Sequence, residues 1–176
     1  MALWVFGYGS LLWNPGFEPA EARTAILRDY HRSFCMLSIH HRGSEDDPGL
    51  VLALDAAKGG QCTGVAFRVQ DAEEDRVLAE LRARELISSA YVEHHVDLET
   101  DAGTIAALAY VIDPTHVQYC QFDLEKQAQM IAHAVGGRGP NDEYLFNTAA
   151  HLDKMAIRDD DMTWLVQRVR AIKSDH

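Results

Sequence analysis

The sequence predicts an α+β fold, built around a curved antiparallel sheet or small β-barrel with flanking helices. Three observations lead there. Short apolar and β-branched runs occupy most of the first two thirds of the chain. Helical patterns with acidic starts occupy the last third. Strands and helices do not alternate in the way a doubly wound parallel sheet demands. At 176 residues the chain is expected to form one domain, residues 1–176.

The first strand is expected at Trp4–Gly7, and it ends in Gly7-Tyr8-Gly9-Ser10. Two glycines around a tyrosine let the backbone turn sharply and approach whatever lies above it. Such a turn can aim several backbone N–H groups at one point, the arrangement that holds an anion or a developing oxyanion. Further strands are expected at His31–Ile39, Leu50–Leu54, Thr63–Val69, Tyr91–Leu98 and Ile105–Ile112. Asp101-Ala102-Gly103 is a turn signal that joins the last two as a hairpin. Asp71-Ala72-Glu73-Glu74 opens a helix with an acidic cap and an acidic first turn, running to about Leu86. Later helices are expected from Asp123 to Val135, stopping at Gly136-Gly137, then from Asn141 to Met155, and from Asp160 to Ile172.

The helix from Asp71 carries a carboxylate on the wrong face. Val77, Leu78 and Leu81 form its apolar stripe. Glu85 follows Leu81 by four residues and therefore lies on the same stripe, facing inward, whereas Glu80 points to the opposite side. An inward glutamate is either paired or carries a raised pKa. Pairing with Arg82, Arg84 or another arginine is one reading, and a helix that ends before Glu85 is another. A general base or acid is the third. Glu74 falls near the stripe too, where its first-turn position favours capping.

Bulk properties exclude several classes. The formal net charge of −11 argues against nucleic acid and against an anionic membrane surface as partners. The sequence shows no signal-peptide pattern at its start and no apolar stretch of membrane-spanning length. Cys35, Cys62 and Cys120 are scattered without a C-x-x-C spacing, which suits small buried thiols in a reducing cytoplasm. The pairs His40-His41 and His94-His95 do not converge on one ion, since neighbours on a strand face opposite ways, so no metal is expected. Gly136-Gly137-Arg138-Gly139 lacks the Lys-Ser/Thr of a phosphate loop and suits a helix end, and Asp159-Asp160-Asp161 suits a helix start.

Four segments in order carry a family resemblance: Phe6-Gly-Tyr-Gly-Ser-Leu-Leu-Trp-Asn-Pro15, Tyr30-His-Arg-Ser-Phe-Cys35, Cys62-Thr-Gly-Val-Ala-Phe67 and Gly139-Pro-Asn-Asp-Glu-Tyr-Leu-Phe-Asn147. Together they resemble the γ-glutamylcyclotransferases, specifically their ChaC-like, glutathione-specific branch. The resemblance implies a barrel-centred fold and an enzyme that needs no cofactor. Its substrate would be a small molecule, glutathione, cleaved to 5-oxoproline and Cys-Gly. The family's Arg-Glu pair, followed by a strand-opening tyrosine, matches Arg84-Glu85 and Tyr91, so the resemblance places the acid/base on Glu85. It also implies substrate contacts from Tyr8, Gly9, Ser10, Leu11 and Tyr144. Arg32 either meets a substrate carboxylate or pairs with an acidic neighbour. Relatives usually carry glycine shortly before the tyrosine, whereas this chain has Ser88-Ser89-Ala90. That departure leaves other γ-glutamyl amino acids or amines open as substrates, and a non-catalytic γ-glutamyl-binding module remains the rival reading.

Overall fold

Strand β1 (Trp4–Gly7) forms where the sequence places it, and everything around the candidate site is organised against it. The computed structural model describes residues 2–13, 15–86 and 90–175, without the side chains of Ser10 and Trp13. The expectations for the Ser10 hydroxyl and for Ser88-Ser89 thus fall outside the described residues.

The chain divides into two compact units, Met1–Arg32 with Ala53–Val117, and Ser33–Leu52 with Gln118–His176. A helical turn, α1 (Ser10–Trp13), follows β1. Strands β2 (Glu21–Ser38) and β3 (Gly49–Arg68) are long enough to contribute to each unit. The first unit adds helix α2 (Glu74–Glu85) and strands β4 (Tyr91–Thr100) and β5 (Gly103–Ile112). The five strands close into a barrel in the order β1-β3-β2-β4-β5, with β5 pairing back onto β1 at Leu108 and Val5 and a further β3–β5 pairing of Leu54 with Val111. Closure leaves no strand edge to template aggregation. The α+β class and the barrel agree with the sequence expectation.

The β4–β5 hairpin runs in register from Tyr91↔Ile112 to Thr100↔Gly103, with Gly103 at φ +109° where an L side chain is strained. Residues Ala107 to Ile112 are all buried, as a strand covered on both faces must be. The main departure is β3. Lys58-Gly59-Gly60 suggests a break, yet the strand continues through it. Gly59 (φ +81°) and Asp29 on β2 (φ +68°) both take left-handed backbone, and the Asp29 carboxylate accepts the Gly59 N–H at 3.0 Å. This local kink bends the paired strands without ending them.

In the second unit, helices α3 (Leu124–His133), α4 (Asn141–Lys154) and α5 (Asp160–Ser174) pack on one another. Asp123 caps α3 by accepting from the Lys126 N–H at 2.8 Å, and Asp159 caps α5 through Met162 at 3.0 Å. Helix α3 ends before Val135. Gly136 and Gly139 belong instead to a small hairpin of strands β6 (Val135–Gly136) and β7 (Gly139–Pro140). A Cβ on Gly136 would lie 2.4 Å from the His41 carbonyl carbon, so the glycine is required by close backbone approach. His40 and His41 lie beyond the end of β2.

Candidate active site

The turn after β1 is held from two sides. Tyr8 and Gly9 bend the chain, and the Leu12 N–H donates to the Gly9 carbonyl at 2.9 Å to start α1. Gly7 is needed because a Cβ there would meet the Phe67 ring at 2.8 Å. Tyr8 is buried, and its hydroxyl donates to the Tyr110 carbonyl at 3.2 Å. Its own carbonyl accepts from Arg32 Nε at 2.6 Å, and Arg32 also donates to the Thr63 carbonyl. Arg32 is itself buried, so its guanidinium acts on the backbone of the turn. Both of these bonds go to backbone carbonyls.

Helix α2 brings Glu85 to the same unit. A 3-10 turn, Asp71–Glu73, precedes it, and neither start carries a side-chain cap bond, contrary to the expected acidic cap. Glu74 does something else: it accepts the Leu3 N–H at 2.9 Å, tying the helix start to the approach of β1. Val77 and Leu81 are buried in one core cluster with Val5, Leu11, Val69 and Tyr110, against which Leu86 and Tyr91 also pack. That cluster joins the helix face to α1 and the barrel wall. Glu80 points outward and pairs with Arg76 at 3.1 Å. Glu85 is the last residue of α2, and its side chain is only 13% exposed. Burial pushes its pKa above the ordinary carboxylate value, and the Arg84 guanidinium, 3.5 Å away, pulls it partly back.

Arg82, the other arginine the sequence offered to Glu85, goes elsewhere. Its Nε and Nη2 each donate to the Glu93 carboxylate at 3.0 Å. Glu93 also accepts the Tyr110 hydroxyl at 2.9 Å. The Arg82 bonds are the leading reason that Glu93 titrates below its ordinary value. Burial, then Glu93 and the Glu85 charge, push the Tyr110 phenol far upward, which keeps it protonated. Sequence reasoning missed this set. Its only trace is a tyrosine in the otherwise aliphatic run Ala106–Ile112. Among the described residues no three His, Cys, Asp or Glu side chains gather as a metal site.

Tyr144 belongs to the second unit. Its hydroxyl accepts the Leu52 N–H at 3.1 Å, its ring meets Phe34 edge-on at 6.1 Å, and the Arg42 guanidinium lies 5.8 Å above it. Asn141, one turn earlier on α4, accepts the Leu50 N–H and donates to the Leu50 carbonyl, both at 2.8 Å. This amide therefore satisfies both backbone groups of Leu50 on β3.

Comparison with known proteins gives a consistent set of likenesses. A chain from Escherichia coli (strain K12), the "Glutathione-specific gamma-glutamylcyclotransferase", is 37% identical over 99% of this chain and 75% of its own length. "Gamma-glutamylcyclotransferase 2-3" of Arabidopsis thaliana is 33% identical over 99% of this chain and 92% of its own. The "Glutathione-specific gamma-glutamylcyclotransferase" of Schizosaccharomyces pombe is 31% identical over 92% of this chain and 88% of its own. In fold, the chain is similar to a crystal structure from yeast of a "gama glutamyl cyclotransferease specific to glutathione", with a TM-score of 0.86 at 21% identity, covering 99% of this chain and 98% of that one. Residues 3–172 match the family described as "ChaC-like protein", and to that family this chain belongs.

Proposed function

We propose that this chain is a glutathione-specific γ-glutamylcyclotransferase, releasing 5-oxoproline and Cys-Gly, with Glu85 as its general base and acid. The observation that carries the reading is the Glu85 carboxyl: largely buried and raised in pKa, at the end of a helix whose Leu81 shares one core cluster with Leu11 of the turn after β1. The names of relatives at 31–37% identity support the substrate.

The reaction poses three problems that these residues answer. The substrate α-amine is mostly ammonium at neutral pH, and the Glu85 carboxylate takes its proton. The freed amine attacks the γ-carbonyl carbon of the same residue, closing a five-membered ring. Negative charge then builds on the carbonyl oxygen, and backbone N–H groups of Gly9, Ser10 and Leu11 offer it donors. Collapse breaks the bond to the cysteinyl nitrogen, which leaves with the proton Glu85 holds; the ring nitrogen gives its second proton to the Glu85 carboxylate so regenerated, which passes it to the departing amine, and the lactam is left neutral. One carboxyl thus serves both transfers, typically worth about 10²–10⁴-fold. No water is consumed and no cofactor enters the balance. Tyr8 is assigned to substrate binding, and Arg32 to orienting the turn. Cys35, Cys62 and Cys120 are buried and outside any disulfide, which suits work in the reducing cytoplasm.

Release of 5-oxoproline from glutathione and from γ-glutamyl-alanine tests the reading. Glutathione is expected to be strongly preferred. Equal turnover would remove the glutathione specificity in favour of the wider γ-glutamyl substrate range that Ser88-Ser89-Ala90 in place of glycine leaves open. No release from either would return the chain to a binding module.

A further inference from the structure

A catalytic group on the last residue of a helix stands where helices fray, because the final turn's carbonyls lack intrahelical partners. Glu85 occupies that position. Leu86 continues the turn by donating its N–H to the Arg82 carbonyl at 3.0 Å. Leu81 and the half-buried Leu86 also pack into the core cluster there.

A polar chain crosses from this turn to the bend after β1. It starts at Arg82, three residues before Glu85, whose guanidinium grips Glu93 on β4 with two parallel bonds. Such bidentate pairing fixes direction as well as distance. Glu93 in turn takes the only proton of the Tyr110 hydroxyl on β5. The Tyr110 carbonyl accepts from the Tyr8 hydroxyl, and the Tyr8 carbonyl is held by Arg32. Every link lies within one compact unit, and four elements are crossed: α2, β4, β5 and the bend.

We infer that Arg82, Glu93 and Tyr110 are positioning residues for the reaction, holding the end of α2 that bears Glu85 in fixed relation to the Tyr8–Leu11 bend. The inference rests on the function proposed above. None of the three touches reacting atoms in this assignment. Their effect is on the geometry in which one carboxyl must reach two nitrogens in succession, and that demand is steep: a displacement of roughly 1 Å costs about a hundredfold in rate.

Tyr110→Phe and Glu93→Gln test this. Phenylalanine keeps the ring in the core and the carbonyl for Tyr8, losing only the hydroxyl. Glutamine keeps an acceptor for Tyr110 and loses the charge that Arg82 grips. For each variant kcat is expected to fall about tenfold to a hundredfold, with KM changed by less than about twofold. The double variant is expected to be no slower than the slower single one, since the residues act as one chain. Replacing Arg82 by Lys is expected to rescue only part of the rate lost in Arg82→Ala, because lysine cannot make two parallel bonds. A merely structural role would lower thermal stability and leave kcat of the folded fraction unchanged. Parent-level kcat in Tyr110→Phe, or additive losses in the double variant, would overturn the inference while the function stands. Glu85→Gln is the control: if it turns over like the parent, the function reading falls, and the positioning role falls with it.

Discussion

Replacing Glu85 by Gln separates chemistry from folding. The two side chains have nearly the same shape, so the 13%-exposed site is refilled without a cavity. What disappears is proton transfer. General acid–base catalysis of about 10²–10⁴-fold corresponds to roughly 2.7–5.4 kcal/mol of barrier. The fold loses much less. The Arg84–Glu85 contact at 3.5 Å joins a group that is 31% exposed, and such pairs contribute about 0–1 kcal/mol. Against that loss stands a gain, because burial penalises ionisation of the glutamate and glutamine carries no charge. Since the folded-state pKa is raised, the parent's penalty is absent below the unfolded carboxylate value and fully present above the folded one. The variant is therefore expected to be at least as stable as the parent at neutral pH, with any advantage vanishing as the medium is acidified. Turnover should drop by two to four orders of magnitude at unchanged KM (roughly the range above). The assay is 5-oxoproline release with thermal melts across pH on the same preparations. A folded Glu85→Gln protein that still cyclises glutathione at the parent's rate refutes the reasoning.

Other consequences follow from particular contacts. In the parent, kcat is expected to fall as pH drops through the raised Glu85 pKa, giving an acid limb above the ordinary carboxylate value; a pH–rate profile checks it. Arg32→Met removes two bonds to buried carbonyls and is expected to cost about 1–3 kcal/mol per orphaned group, with a larger loss in kcat/KM than in stability; chemical denaturation and kinetics on one preparation compare them. Leu81→Ala opens the cluster between α2 and α1 and is expected to destabilise by about 2–5 kcal/mol, read as a shifted denaturant midpoint. Asn141→Ala leaves the Leu50 N–H and carbonyl without their partner and is expected to destabilise by a similar amount of about 2–5 kcal/mol, which hydrogen exchange at Leu50 would report.

Much of this molecule is legible in the chain because local rules decide it. The first strand, the β4–β5 hairpin with its glycine, and the starts of α3 and α5 at Asp123 and Asp159 depend on backbone sterics and caps within a few residues. The inward aspect of Glu85 follows from helical periodicity, and its resemblance to a known acid/base pair follows from order along the chain. Other features were illegible because their cause is distant. Nothing near Gly59 announces that the strand continues, because Asp29, thirty residues earlier, accepts its N–H. Nothing near Glu74 announces Leu3, and nothing near Asn141 announces Leu50. The choice of Arg84 over Arg82 as the neighbour of Glu85 was likewise open until β4 supplied Glu93.

The sequence by itself determined the class of fold and the family, and it singled out Glu85 as the proposed acid/base, since these are written in period, order and residue type. Only the tertiary structure decided how that carboxyl is desolvated, which guanidinium faces it and what steadies the bend opposite. Solvent exclusion and hydrogen-bond geometry arise when segments distant in the chain are packed together, as in the Arg32–Tyr8 and Tyr8–Tyr110 bonds, with separations of 24 and 102.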